Sequence, residues 1–394
     1  MDVPVVEPIN LKIVFILAIG FAFASILGYL TYRAKLSPLL GYLIGGYLIG
    51  PFSPGYVADL NLAEQLAEIG VILMMFGVGL HFKWQDLLKV KGIAIPGAIF
   101  QIIIATAVCA WLTIAIGWSP ITGVLFGLCI SVASTVVLMR VLADNKLLET
   151  ERGHIAVGWL IVEDVITVGI LLFLPLLSSF SKGEELSYTT AFLNMGLIIG
   201  KFILLVGFMF TVGKWIVRFW ITKVLGTESH ELFTLTILAL TFVIAAASSV
   251  IFGTSIALGA FIAGMVIGQT DIRHQVSINA EPLKDAFVVI FFLSVGMLFN
   301  PDIIYTHFLV FVVVLGVIML VKPLTAFLIT IVLRYPLKTA LTIAVAMAQI
   351  GEFSFILAEE ALKYKLIPDD AYDLVVACSI VSIAVNPLFF RLVR

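Results

Sequence analysis

The sequence predicts an all-α membrane protein of about thirteen transmembrane helices, built as an inverted repeat in which two helices are discontinuous. Three observations favour this fold: a long series of apolar runs, a glycine pattern that occurs twice, and polar residues in the middle of matching runs. Of the 394 residues, 61% are hydrophobic and only 12% are charged. A soluble globular chain carries roughly 25% charged residues, so the composition excludes an ordinary water-soluble fold. The net charge of −2 gives no indication of a nucleic-acid partner.

Apolar runs that can cross a bilayer, which takes about 20 residues, follow one another along the whole chain. The second and the ninth are short. The thirteen candidate spans cover residues 12–32, 37–52, 62–81, 92–117, 121–143, 153–177, 191–217, 230–252, 254–270, 284–300, 305–333, 338–362 and 370–390.

The basic residues orient these spans in the membrane. With the N-terminus outside, most Lys and Arg residues fall in the loops and helix ends of one side, which the positive-inside rule makes cytoplasmic. If one span were removed from the count, the basic residues would no longer fall mainly on one side. Their distribution therefore also supports an odd number of helices. We therefore expect an external N-terminus, a cytoplasmic C-terminus and the lipid bilayer as a partner.

A glycine-rich pattern occurs twice, which indicates an internal repeat. The stretch 37–50 aligns with 255–268 at an offset of 218, with one Ser and three Gly in register. The helices that follow match at an offset of 217, from 66–82 to 283–299. The matched helices lie seven spans apart, and an odd separation gives the two copies opposite orientations. Small residues also favour close helix packing without any repeat, but a match in two successive helices is hard to explain in that way.

From the repeat we predict one transmembrane transporter unit over 1–394. It divides into a first repeat at 1–190, a linking helix at 191–229 and a second repeat at 230–394.

The repeat pairs the fifth span with the twelfth, and both carry polar residues at mid-span. The fifth has Ser131, Ser134 and Thr135, and the twelfth has Gln349 and Glu352. Such interruptions mark discontinuous helices whose freed backbone groups face a transported ion. Each hydroxyl could instead bond back to its own helix, and Glu352 could pair with a base or cap a broken end. Gln349 and Glu352 are three residues apart, so they are expected on the same side of a helix.

Two adjacent carboxylates, Glu163 and Asp164, lie halfway along the sixth span. A charge at that depth costs several kcal/mol, so it is rarely found without a partner or a task. Adjacent helical residues diverge by about 100°, so one acid can line a cavity while the other anchors to a neighbouring helix. We identify Asp164 as the candidate that binds K⁺ or Na⁺ and H⁺ in turn, because protonation removes its attraction for the cation. A buried ion pair that only locks helices together is the alternative.

Lys322 is the third charge considered, near the middle of the eleventh span and directly before Pro323. Its ammonium lies too deep to reach the membrane surface easily. We interpret it as a partner of Asp164 or Glu163, in a pair that breaks when a cation binds. A permanent salt bridge beside a Pro-kinked helix is the alternative.

Together these motifs resemble the monovalent cation:proton antiporter-2 family, and in particular its Kef-type potassium/proton antiporters. The resemblance covers nearly the whole chain. It rests on LSPLLGYLIG at 36–45, EIGVILMMFGVGL at 68–80, Ser134-Thr135, Glu163-Asp164, FFLSVGMLF at 291–299 and QIGEF at 349–353.

The resemblance implies a sodium/proton-antiporter-like fold in which the two broken helices cross, with a core domain and a dimerisation domain. It implies a homodimer in a bacterial inner membrane that exchanges a monovalent cation for H⁺ by alternating access, K⁺ being favoured over Na⁺. No enzymatic activity and no cofactor are implied. Asp164 matches the family's ion-binding aspartate, and Lys322 looks like the lysine that salt-bridges the ion-site acid in related antiporters. Glu163 departs from the Asp, Asn or Gln usual at its position, which leaves open a second proton carrier.

Kef-type proteins usually continue into a cytosolic nucleotide-binding domain. This chain has no Gly-x-Gly-x-x-Gly motif opening a strand–helix unit, so no such domain is expected in it. A regulatory domain that is separate, or that has been removed, is a candidate partner. The loop 271–282 matches the regulatory motif of glutathione-gated members only in part, which puts glutathione gating in doubt.

Other function classes fit less well. A cation channel, or a gated K⁺ pathway not coupled to protons, would need a selectivity ring, and no Thr-Val-Gly-Tyr-Gly filter is present. An intramembrane aspartyl protease would need a second Asp facing Asp164 from another helix, and no second Asp lies near the middle of a span. A membrane sensor that transports nothing is the third alternative.

Overall fold

The computed structural model describes residues 12–54, 60–81, 84–147, 150–181, 188–252, 254–270 and 273–392. Within these ranges the secondary structure is helical, with no strand. Eight of the described helices are long and apolar enough to cross a membrane, and four shorter helices are also apolar. The predicted apolar runs all coincide with helices or with pairs of consecutive helices.

In the first half of the chain the described residues form nine α-helices and one π-helical turn. They are α1 (Lys12–Arg33), α2 (Pro38–Ile49), α3 (Leu60–His81), α4 (Trp84–Ala115), α5 (Pro120–Ser131), α6 (Thr135–Asp144), α7 (Glu151–Ser181), α8 (Tyr188–Phe208), the π turn Met209–Gly213 and α9 (Lys214–Leu225).

In the second half the described residues form nine more α-helices and a second π turn. They are α10 (His230–Phe252), α11 (Ile256–Gly268), α12 (Arg273–Leu298), α13 (Asp302–Thr306), α14 (Phe308–Gly316), the π turn Val317–Val321, α15 (Lys322–Val332), α16 (Leu337–Ala346), α17 (Glu352–Lys363) and α18 (Asp369–Leu392). The fifth predicted span is thus the pair α5 and α6, and the twelfth is the pair α16 and α17.

Serine N-caps begin the two short helices that carry the repeated glycine pattern. Ser37 accepts a hydrogen bond from the backbone N–H of Leu39 at the start of α2. Its counterpart in the repeat, Ser255, accepts from the N–H of Leu258 at the start of α11. A serine hydroxyl supplies an acceptor to the otherwise unpaired first-turn amides, which explains why this residue recurs at both places.

The repeated glycines sit where helices cross at close range. Gly46 on α2 faces Gly296 on α12, and Gly264 on α11 faces Gly79 on α3, in both cases with a Cβ excluded by the opposite backbone. The repeat pairs Gly46 with Gly264 and Gly79 with Gly296, so each crossing is the counterpart of the other. Small residues let backbones approach closely in a membrane, where apolar side chains alone give helices little reason to associate.

Packing divides most of the helices into two bundles. The scaffold bundle contains α1, α2, α3, α10, α11 and α12, and the core bundle contains α4, α5, α6, α7, α15, α16, α17 and α18. Both broken helices lie in the core bundle. The second π turn, Val317–Val321, ends directly before Lys322 and Pro323. Because Pro has no N–H and cannot continue the regular ladder, a π turn at this point changes the direction in which the Lys322 side chain leaves the helix.

Candidate functional site

The helix formed by the fifth span is interrupted between α5 and α6, and we call residues 132–134 the first break. Val132 has an extended backbone, with φ −88° and ψ 136°. Extended backbone inside a membrane leaves N–H and C=O groups that water cannot satisfy. The question is therefore which protein groups bind them.

Side chains from two other spans accept amide protons of the first break. Ala133 N donates to Glu163 Oε2 at 2.8 Å, and Ser134 N donates to Gln349 Oε1 at 2.9 Å. The hydroxyl of Ser134 itself accepts from Val137 N at 3.1 Å and so caps α6. Glu163 thus anchors the first break.

The carbonyl groups of the same stretch are also bound by side chains. Gln101 Nε2 donates to Ser131 O at 3.0 Å, and Gln349 Nε2 donates to Ser134 O at 3.1 Å. The Ser354 hydroxyl donates to Val132 O at 3.3 Å. Gln349 therefore binds both backbone groups of Ser134, as a neighbouring strand would.

The second break, residues 347–351 between α16 and α17, crosses the first. Gly351 packs on the backbone of Ser134 so closely that a Cβ would overlap with it. Lys322 Nζ donates to Gln349 O at 2.8 Å, which satisfies a freed carbonyl with a charged donor. One turn earlier, Asn386 Nδ2 donates to Val345 O at 2.7 Å.

Three carboxylates collect at this crossing. Glu163, Asp164 and Glu352 are 0%, 6% and 4% exposed. Glu352 Oε2 accepts from the Ser134 hydroxyl at 2.8 Å. The charges of Glu352 and Glu163 both act on Asp164. Like charges repel strongly where water is excluded, so the cluster favours taking up a cation or a proton.

Asp164 is the carboxylate best placed to do so. Its Oδ2 accepts from the Thr135 hydroxyl at 3.3 Å, at the first residue of α6. Its Oδ1 is buried and has no hydrogen-bond partner among the residues that the structure describes. No three His, Cys, Asp or Glu side chains of the described ranges form a metal centre. The arrangement is therefore one carboxylate with a neighbouring hydroxyl, which can take a cation or a proton.

Lys322 does not make the ion pair that the sequence predicted. Nothing in the described part of the chain shows a Lys322 nitrogen within 4.0 Å of a carboxylate oxygen, and the ammonium binds the Gln349 carbonyl instead. It still interacts electrostatically with Glu163. The break in the twelfth span explains the difference, because it offers a carbonyl that needs a donor.

One further expectation needs correction. Gln349 and Glu352 do not share a helix face, because the helix stops at Ala346 and Gln349 lies in the second break. Both nevertheless form hydrogen bonds to Ser134. The Ser131 hydroxyl donates to Leu128 O at 2.8 Å, which is the bond back to its own helix that the sequence left open.

Two residues of the site escaped the sequence analysis. Gln101 is the only amide side chain in its apolar run at 92–117, and that isolation is the signal that could have found it. Asn386 stands out in the same way, as the only amide in the last span.

Comparison with known proteins supports the predicted fold and the assignment to a class of membrane transporters. Residues 19–393 match the family described as sodium/hydrogen exchanger, transmembrane. An Escherichia coli (strain K12) protein named cation/proton antiporter YbaL is 46% identical over 375 residues, which are 95% of this chain and 67% of that protein. An Arabidopsis thaliana protein named K(+) efflux antiporter 4 is 29% identical over 360 residues, covering 90% of this chain and 59% of its own length.

A solved structure has the same architecture. The sodium proton antiporter MjNhaP1 from Methanocaldococcus jannaschii at pH 8 superposes with a TM-score of 0.74, covering 97% of this chain and 98% of its own. At 18% identity the likeness concerns the fold alone. It confirms the predicted fold class.

Proposed function

The chain belongs to the sodium/hydrogen exchanger transmembrane family, and from this premise we propose that it exchanges K⁺ for H⁺ at Asp164 by alternating access. The family is one of multi-pass membrane transporters that exchange a monovalent cation for a proton, not of enzymes. The choice of K⁺ is supported by the names of its relatives among the K(+) efflux antiporters. Na⁺ is the alternative, supported by the fold neighbour.

The observation that carries the proposal is that Asp164 Oδ1, at the crossing of the two breaks, is buried and has no partner within the described ranges. An ionised carboxylate oxygen without a partner is costly in a membrane interior, and either a cation or a proton relieves that cost. The two ligands compete for the same oxygen, so the site carries one or the other. The Thr135 hydroxyl is a second oxygen ligand for a dehydrated cation.

The other predicted site residues hold this arrangement in place. Glu163 anchors the first break through Ala133 N, with the charge of Lys322 opposing its own. Gln349 binds the backbone of Ser134, and Glu352 binds its hydroxyl. In this proposal the cation contacts Asp164 and Thr135, while these residues fix the distance between α6 and α7.

The cellular arrangement is also proposed. The two repeats, 1–190 and 230–394 with the linking helix 191–229, present the site to each side in turn. The chain forms a homodimer in a bacterial inner membrane, with the N-terminus outside. The basic loops on one side and the E. coli relative support this assignment. We also propose a cytosolic regulatory domain as a partner, one that is separate from this chain or has been removed from it.

Proton flux in proteoliposomes tests the function. Wild type, Asp164→Asn and Asp373→Asn are reconstituted with a pH-sensitive dye and given K⁺, Na⁺ or Li⁺. Asp373, also a mostly buried Asp of the core bundle, accepts from Asn300 N at 3.2 Å and is the matched control. We expect cation-driven proton movement in wild type and in the control, and none in Asp164→Asn.

Three outcomes contradict the proposal in different ways. Full exchange in Asp164→Asn would remove the site assignment. K⁺ flux that needs no proton movement would indicate a channel. A larger response to Na⁺ than to K⁺ would reverse the selectivity.

The pH dependence gives an independent check of competition at one oxygen. Lowering the pH protonates Asp164, so fewer sites are open to the cation and its apparent KM rises. In the limit of a mostly protonated site the rise is about tenfold per pH unit. An apparent KM that does not change with pH would mean that cation and proton use separate sites.

A further inference from the structure

Gln101 occupies an unusual position beside the first break. It lies on α4 and is 0% exposed, and its Nε2 donates to the carbonyl of Ser131, the last residue of α5. Its Oε1 is buried and has no hydrogen-bond partner in the described ranges. A fully buried amide oxygen without a donor is rare in native proteins and calls for a ligand.

Gln101 and Lys322 each donate a hydrogen bond to a backbone carbonyl beside one of the two breaks. Gln101 comes from the span before the first broken helix and binds a carbonyl at the end of α5. Lys322 comes from the span before the second broken helix and binds the carbonyl of Gln349. Gln101 is therefore the neutral counterpart of Lys322. It differs in having a second polar atom, an acceptor, that remains unused.

Two more unpaired polar atoms lie next to Gln101. Glu163 binds Ala133 N, two residues along from Ser131, so the backbone positions held by Gln101 and Glu163 are at most about 7 Å apart. Glu163 Oε1 is buried and unpaired, and so is Trp159 Nε1 within the described structure. Trp159 lies one turn before Glu163 and its indole N–H acts on that carboxylate, but no hydrogen bond of standard geometry joins the two groups directly.

Packing between α4 and α7 brings these polar groups to the same height along the two helices. The indole ring of Trp159 packs directly on Gly97, where no Cβ would fit. Gly97 lies one turn before Gln101 on α4, just as Trp159 lies one turn before Glu163 on α7. The space between the two helices therefore holds one unused N–H donor and two unused oxygen acceptors.

We propose that Gln101, Trp159 and Glu163 bind one buried water molecule beside the first break, and that Gln101 is thereby a positioning residue of the ion site. The water accepts from the indole N–H and donates to Gln101 Oε1 and to Glu163 Oε1. Three hydrogen bonds to otherwise unsatisfied groups are the usual complement of a buried water. The water and Gln101 tie Glu163 to the end of α5, and hence set the position of Asp164 relative to Thr135.

A density map that resolves ordered water tests the binding site without any transport assay. For wild type we expect a peak within about 3.2 Å of Gln101 Oε1, Trp159 Nε1 and Glu163 Oε1. The variant Gln101→Met keeps the length of the side chain but lacks both polar atoms, and its map should lack the peak. A wild-type map without the peak, or one in which the three atoms bond directly to one another, would overturn the proposal.

The positioning role is tested by separating apparent KM from maximal rate, and this part rests on the proposed function. For Gln101→Met the apparent KM for K⁺ should rise about fivefold to tenfold, as for loss of one or two buried hydrogen bonds, with the maximal rate within about a factor of two. A lower rate with an unchanged KM would mean a structural role only and would overturn the assignment.

Thr106→Val is the matched control. Thr106 lies on the same helix, and its hydroxyl is also buried and unpaired within the described residues, but its backbone packs on Gly127, away from the break. Its apparent KM should equal that of wild type. An equal rise in both variants would show that the effect is not specific to Gln101. If wild type exchanges no cation, the proposed function fails, while the water peak still decides the binding site.

Discussion

The two breaks both interrupt a helix of the core bundle, but differently charged side chains bind their backbones. The first break is held by Glu163 and by the neutral amides of Gln101 and Gln349. The second is held by the ammonium of Lys322 through the carbonyl of Gln349. Carboxylates therefore bind the first break, and an ammonium group binds the second. The difference teaches that the repeat determines where the chain is interrupted, while side chains that do not repeat determine which break attracts a cation.

More hydrogen-bonding side chains reach from the second break and α17 to the first break than in the opposite direction. Gln349, Glu352 and Ser354 all reach across to the first break, where they bind Ser134 and Val132. The described side chains of the first break make no equivalent hydrogen bond to the backbone of the second. A movement of α17 is thus transmitted directly to the start of α6, where Thr135 meets Asp164.

Adding a single methyl group at the crossing should have the largest effect. In Gly351→Ala the new Cβ overlaps with the backbone of Ser134, so the two breaks must separate. We expect a loss of about 1–3 kcal/mol or more in the free energy of unfolding and loss of exchange. Thermal unfolding in detergent and proteoliposome flux measure the two effects.

Gly169→Ala is the control for that substitution. Gly169 lies on α7, and a Cβ there has open space around it. Its melting temperature and exchange should match those of wild type or rise slightly, because Ala favours a helix over Gly. Equal behaviour of the two variants would mean that the breaks do not need to touch.

Removing the charged donor of the second break should have the next largest effect. Lys322→Met leaves the Gln349 carbonyl without its donor and Glu163 without an opposing charge. A buried hydrogen bond to a charged group is worth about 1.5–3 kcal/mol, against about 0.5–1.5 kcal/mol for a neutral one. Lys322→Met should therefore lower the unfolding free energy more than Gln101→Met does.

Lys284→Met provides the baseline for losing a lysine. Lys284 pairs with its neighbour Asp285 at 3.5 Å on a partly exposed surface, where ion pairs contribute about 0–1 kcal/mol. If Gln101→Met destabilised the protein as much as Lys322→Met, the charge difference between the breaks would have no energetic consequence.

Much of this site could be predicted from the sequence, and what could not has a physical reason. The two breaks are predictable because polar residues recur at matching positions of the repeat, and Asp164 is identified from its depth in the sixth span. The partner of Lys322 was not predictable, because an interrupted helix offers carbonyls that a helical pattern hides. Gln349 finds its partner Ser134 across 215 residues of sequence, which only the crossing of the breaks brings together.

The hydroxyls of the first break show the same limit on a smaller scale. Ser131 and Thr135 are four residues apart and would share one face of a continuous helix. The extended stretch between them separates their directions. One hydroxyl bonds back to Leu128 and the other reaches Asp164. Sequence spacing alone could not tell which hydroxyl faces the ion.

The smallest effect is expected from removing the Thr135 hydroxyl, the proposed cation ligand at the start of α6. Thr135→Val keeps the shape of the side chain and removes the oxygen that lies 3.3 Å from Asp164 Oδ2. Loss of one hydrogen bond of about 1 kcal/mol should raise the apparent KM for K⁺ about fivefold, with Thr135→Ser restoring it. The matched control is Thr167→Val, because the buried Thr167 hydroxyl donates to the backbone carbonyl of Glu163 on its own helix at 2.9 Å, and not to a carboxylate. Should Thr167→Val raise the KM as much as Thr135→Val, the effect would come from packing around α7, and the cation would bind through Asp164 without help from α6.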